Sequence, residues 1–315
     1  MLTGFKLWLC TMQWYGYRFR EGEIARVYRL GGADLAAAEF YELLQSESWK
    51  QRWSRQAWLQ DLQRQVEAVD QSGSRLISYF DKDYPFLLRF MSRPPLSLHI
   101  IGESAWRQFQ PLTVVGSRTP SQTAIEWMEV ELFQLLKGTD LILASGGARG
   151  IDQKAHQLCR RSGRPTLVFL PSGLGAPYPS TWRRDMKSVV ADGGAMVSCF
   201  KPDQPMFKNQ FHIRNALLAG VSAMTLIVEA KRRSGTLITA KWAAELDREV
   251  GVVPMSPFSG AGGLDLLKSG ARLVTDWTDL KAVFEQLPKL SDLAIAPEHH
   301  AEKDKVSRPD RRTNR

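Results

Sequence analysis

The stretch SGGARGIDQKAH, residues 145–156, sets three glycines and an arginine between an apolar run, residues 141–144, and a helix-like segment. Successive glycines let backbone N–H groups come close to a ligand, and the helix that follows offers the positive end of its dipole. That chemistry suits an anion, most often a phosphate. It leaves open whether the phosphate belongs to a cofactor, a free nucleotide or a nucleic acid. The turn lacks the GxGxxG spacing of a dinucleotide site and the Lys-Ser or Lys-Thr ending of a P-loop.

Other cationic loops accompany Arg149 of this turn. GSRTPS, residues 116–121, carries Arg118 ahead of Ser121, a candidate helix N-cap. EAKRRSGT, residues 229–236, carries Lys231, Arg232 and Arg233 ahead of Ser234 and Gly235, a second candidate helix start. In FKNQFHIRN, residues 207–215, Lys208 and Arg214 flank Phe211. Cationic loops around an aromatic ring describe a groove that follows a phosphate backbone and stacks a base. A mononucleotide pocket asks for fewer cations and a more enclosed apolar slot. Arg160, Arg161, Arg183 and Arg184 fall on predicted helices and read as solvated charge. There is no Gly-x-Ser-x-Gly elbow, HExxH pair or Cys–His signature. Asp152 and His156 share one predicted helix face, and they read as a capping and packing pair. The residues therefore predict a binding protein rather than an enzyme, with no cofactor and no metal.

The elements that must position these loops alternate regularly. Apolar strand candidates fall at 112–115, 141–144, 166–170, 195–199, 225–229, 250–253 and 272–275. Helical segments fall at 121–137, 150–162, 180–191, 212–220, 235–247 and 263–269. This alternation predicts an α/β fold, a doubly wound, mostly parallel Rossmann-like sheet with helices on both faces. The special loops mostly follow strands, where such sheets bind their ligands. Residues 1–75, rich in tryptophan and in helix formers, predict a small helical N-terminal domain. The sheet-bearing domain is expected over 76–285, and the segment LISYFDKDYPFLLRFMSRPPLSLHIIG holds two strand-like runs around Pro85, Pro94 and Pro95 and reads as an extended connection into it. Residues 286–315 read as a polar, basic, disordered tail. A formal charge of +9 favours acidic partners, and three scattered cysteines fit a reduced, cytoplasmic setting. The interrupted apolar N-terminus reads as neither a signal peptide nor a membrane span.

Taken in order, the loops resemble those of the DNA-processing protein A family (DprA, also called Smf). The matching runs are VVGSR at 114–118, SGGARGID at 145–152, SGLGAPYP at 172–179, FHIRN at 211–215 and VEAKRRSGTLITA at 228–240. The resemblance implies an extended Rossmann-like fold and a homodimer that binds and protects single-stranded DNA. It further implies that the protein helps load RecA recombinase, as in natural transformation. By the same resemblance the backbone of Ser145, Gly146 and Gly147 and the side chains of Arg118, Lys208 and Arg233 hold phosphates. Phe211 stacks on a base, and Arg149 adds charge or shapes its loop. Arg214, Asn215, Ser234 and Gly235 complete the expected DNA-binding set. The chain departs from the family pattern at Ala216, where a second arginine is usual, and at Cys199, where a glutamate is. The rival reading is a phosphoribohydrolase of the lysine-decarboxylase-like group, but its Pro-Gly-Gly-x-Gly-Thr turn is replaced here by RRSGT. A third reading is a nucleotide-sensing module.

Overall fold

The computed structural model describes Gln13 and residues 55–287. A helix, α1 (Arg55–Ser72), leads into β1 (Arg75–Ser78) and β2 (Ser97–Gly102). The alternating part follows as β3 (Gln110–Gly116), α2 (Gln122–Trp127), α3 (Phe133–Gly138), β4 (Leu141–Ser145), α4 (Ile151–Arg161) and β5 (Thr166–Phe169). It continues through α5 (Trp182–Ala191), β6 (Ala195–Ser198), α6 (Gln210–Val221), β7 (Met224–Val228), α7 (Thr236–Glu245) and β8 (Glu249–Val253). The last elements are α8 (Ala261–Lys268), the two-residue β9 (Arg272–Leu273) and α9 (Trp277–Glu285).

The sheet has nine strands in the order β1-β2-β6-β5-β4-β3-β7-β8-β9, parallel from β6 to β9. Strands β4, β5, β6 and β7 are buried along their whole length. They therefore read as unbroken apolar runs such as LILAS and MTLIV, the signature of strands covered on both faces. Helix α4 shows the complementary pattern. Its residues Ile151, Ala155, Leu158 and Cys159 form a buried stripe against the sheet, while Arg160 and Arg161 face outward. The expected cap at Ser121 is present, its hydroxyl accepting from the Ala124 N–H at 3.2 Å. Between α2 and α3 the helix passes through a π-turn at Met128–Leu132.

One expectation is corrected and one helix is added. The segment read as an extended connection contains β1 and β2, which pair with each other and extend the sheet beyond β6, all antiparallel. The bond between β2 and β6 joins residues far apart in the chain, so local periodicity carries no trace of it. Helix α9 was not expected at all. It opens on a capping box, with Asp276 accepting from Thr278 and Asp279 and the Asp279 side chain returning to the Asp276 N–H. Residues 1–12 and 14–54 of the expected helical N-terminal domain, and the tail beyond residue 287, lie outside the described residues. Among the described residues no helix is long and apolar enough to cross a membrane.

Candidate nucleic-acid interface

From β3 the chain moves outward through β4, β5 and β6 on one side, then returns to build β7, β8 and β9 on the other. The strand order thus reverses between β3 and β7, whose ends pair Gly116 with Val228. This is the position at which loops leave the sheet in diverging directions and open a crevice. Gly116 is demanded by the packing there, because a Cβ would overlap the Val228 carbonyl and the Ile151 side chain.

Hydrogen bonds join the loops of this end into one body. Ile151 N–H donates to the Ser117 carbonyl at 3.1 Å, tying the β3 loop to the start of α4. Thr236 Oγ1 donates to the Gly116 carbonyl at 3.1 Å, tying α7 to the same loop. The buried Glu229 carboxylate accepts from Ser121 N–H at 3.1 and 3.2 Å. Asn215 Nδ2 reaches the Gly235 carbonyl at 3.5 Å, joining α6 to the β7 loop. Loops locked in this way hold their side chains in place before any ligand arrives.

The surface of this body is cationic. Arg118, Arg149, Lys208, Lys231 and Arg233 are exposed and form no ion pair among the described residues. Arg232 differs, since its guanidinium meets Asp265 at 2.7 and 3.0 Å. The half-buried Phe211 ring has the Arg118 and Arg214 guanidinium carbons 5.9 and 5.7 Å from its centroid. Both distances are within cation–π range. Gly235 is exposed at the start of α7, and Ser234 beside it is half-buried.

Beneath that surface the glycine turn does something other than cradle a ligand. Ser145, Gly146 and Gly147 are buried. Asp152, buried in the first turn of α4, accepts from the Ala148 N–H at 3.3 Å and is further favoured by the Gly146 N–H, while the Ser145 hydroxyl donates to the Val114 carbonyl at 2.6 Å. The turn therefore wraps an anion supplied by the chain itself. Burial raises the Asp152 pKa, against the lowering effect of Arg214 and these donors. Arg214 is 5% exposed, donates from Nη1 to the Phe169 carbonyl at 3.1 Å, and fills the space a Cβ on Gly146 would need. Burial pulls its pKa down to about 10, still charged at neutral pH. Gly147, at φ 68°, accepts from Trp182 Nε1 at 2.9 Å.

The expected binding residues thus divide by depth. Arg118, Arg149, Lys208, Arg233 and Gly235 are exposed and Phe211 is half-buried, whereas Ser145, Gly146, Gly147, Arg214 and Asn215 are buried with partners inside the protein. The Asp152–His156 pair packs as expected. His156 Nδ1 is 2.7 Å from Thr166 Oγ1, its ring sits edge-on to Trp182, and burial lowers its pKa to about 3. Residues that sequence reasoning did not place in the site are Trp182, Glu229 and Tyr178. The first two support loops from within; Tyr178 lies 6.0 Å from Phe211. Its position in the loop after β5, at the same end of the sheet, was the available signal.

Residues 75–285 match the family described as DNA recombination-mediator protein A. Protein Smf of Synechocystis is 32% identical over 231 residues, covering 71% of this chain and 58% of that protein. DNA processing protein DprA of Streptococcus pneumoniae is 33% identical over 210 residues, covering 66% of this chain and 73% of its own length. Protein Smf of Escherichia coli is 35% identical over 212 residues, covering 66% and 56%. The chain thus spans little more than half the length of the Synechocystis and Escherichia coli relatives. The crystal structure of the Streptococcus pneumoniae protein superposes with a TM-score of 0.71 at 25% identity, covering 89% of this chain and 98% of that one. DNA processing protein A of Helicobacter pylori, described for its single-stranded-DNA binding mode, superposes with a TM-score of 0.61 at 21% identity, covering 69% and 99%.

Proposed function

Because the chain belongs to the DNA recombination-mediator protein A family, we propose that it binds single-stranded DNA across the carboxyl ends of β4, β3 and β7. The observation that carries this reading is the set of exposed, unpaired cations, Arg118, Arg149, Lys208 and Arg233, on loops at one end of the sheet, with Arg118 over the Phe211 ring. Arginines and lysines that lack carboxylate partners are free to neutralise phosphates, and each contact releases condensed counterions. An aromatic ring accepts any base, since every base has a π-face, so the grip is indifferent to sequence. Buried Arg214 adds positive potential from below without touching the strand. The description of the Helicobacter relative as a single-strand binder accords with this reading.

In the same reading the protein shields the strand and passes it to a RecA-class recombinase, working as a homodimer in the cytoplasm, without catalysing a reaction itself. A labelled oligo-dT titrated with protein at several salt concentrations, followed by fluorescence anisotropy, tests the binding. Each neutralised phosphate contributes about 0.7 to the slope of log affinity against log salt on a single strand. A slope implying several contacts, with weaker binding to matched duplex, is the expected result. Negligible binding at low salt would overturn the reading and return the loops to a nucleotide ligand. Handover is tested separately, as a shortened lag in recombinase ATP hydrolysis on a strand already coated with single-strand-binding protein.

A further inference from the structure

We infer that Tyr178 is a second base-contacting ring of the interface, forming with Phe211 a right-angled corner that holds one base on two sides. The inference rests on the single-strand reading above. Tyr178 is 40% exposed, a large ring left open to solvent. It stands 6.0 Å from the Phe211 ring with the two planes at 87°. A planar base laid against the face of one ring therefore meets the other edge to face, the geometry that aromatic quadrupoles favour.

Phe211 has less ring face to offer alone, because the guanidinium groups of Arg118 and Arg214 already flank it. Tyr178 is not a loose appendage to it. Its N–H donates to Ser172 Oγ at 3.0 Å, and the Ser172 carbonyl accepts from Ser198 Oγ at 2.7 Å, both serines being buried. Gly173 and Gly175 in the same loop donate to the carbonyls of Gln204 and Pro202, each at 2.8 Å. The loop carrying Tyr178 is thereby sewn to the segment leading into Lys208 and Phe211. A ring fixed this way pays little ordering entropy when a base arrives.

The test uses the full chain and two labelled strands of equal length, oligo-dT and a sugar-phosphate strand without bases. Wild-type protein should prefer the strand with bases. Tyr178→Ala should weaken oligo-dT binding about tenfold, within the range for one stacked base. It should leave binding to the base-free strand and the salt slope unchanged. Tyr178→Phe, which keeps the ring, should behave as wild type. A wild-type preference for bases in Tyr178→Ala, or equal losses on both strands, would overturn the ring's role while leaving the single-strand reading intact. Absence of wild-type binding to either strand would overturn both.

Discussion

Asp152 is the residue whose replacement separates two ways of holding the glycine turn. Asp152→Ala removes the acceptor of the Ala148 and Gly146 N–H groups and leaves the Ser145 hydroxyl on the Val114 carbonyl. A buried donor left unsatisfied costs roughly 1–3 kcal/mol. With Ala148 only half-buried, the total for the two N–H groups comes to about 2–3 kcal/mol, a large share of the 5–15 kcal/mol typical of a folded domain. Asp152→Asn keeps an acceptor oxygen of the same shape and removes only the charge. Burial raises the folded-state pKa above the ordinary 3.8, so folding favours the neutral side chain. A group shifted in that direction contributes most to stability below its unfolded pKa and loses that contribution as pH rises through the folded value. A permanently neutral asparagine escapes that loss at pH 7, while buried Arg214 forfeits a countercharge. The two effects oppose, and the asparagine variant should lie within about 1 kcal/mol of wild type. Urea unfolding at pH 7, followed by far-ultraviolet circular dichroism, reads both values. An asparagine variant as unstable as the alanine one would refute the reasoning, since charge and not acceptor geometry would then hold the turn. An alanine variant within about 0.5 kcal/mol of wild type would remove Asp152 from any structural role.

Arg118→Ala should weaken oligo-dT binding and lower the salt slope by about 0.7, with an unchanged unfolding midpoint because the side chain is exposed. Arg233→Ala should weaken binding more than Arg232→Ala, whose guanidinium is already engaged by Asp265, as parallel anisotropy titrations would establish. His156, held neutral with a pKa of about 3, takes up no proton when the unfolded chain does, so its contribution fades as pH falls below 6.5. That loss amounts to about 2 kcal/mol by pH 5 and should be reduced in His156→Gln when urea midpoints at the two pH values are compared. Gly116→Ala should cost more than ~3 kcal/mol or abolish folding, measured by circular dichroism, because the added methyl overlaps the Val228 carbonyl.

The parallel strands and their helices were legible because a strand buried on both faces writes itself as an uninterrupted apolar run, as in MTLIV of β7. The cationic loops were legible because glycine and arginine at a strand end have few structural reasons to coincide. What escaped depends on partners distant in the chain. Nothing near Ser97–Gly102 announces that β2 will lie antiparallel to β6. Arg214 looks like a surface charge beside Phe211, yet its side chain runs inward to the Phe169 carbonyl and closes against Gly146. The glycine turn invites a phosphate by its composition, and only the backbone path reveals that Asp152 accepts from its Ala148 N–H. Tyr178 sits in a loop whose serine and glycine anchors come from β6 and the segment after it, so its closeness to Phe211 could not be read locally.

The order β5-β4-β3-β7 also sets a length. Neighbouring strands stand about 4.8 Å apart, so the loop carrying Tyr178 and the loop carrying Arg233 are separated by about 14 Å, three strand steps. A DNA strand laid across them is measured against the pitch of the sheet, and only a few nucleotides fit between the outer loops. The ladder beneath the loops fixes their spacing. In the proposed reading, a longer strand would then be covered by copies placed side by side, each taking a short portion.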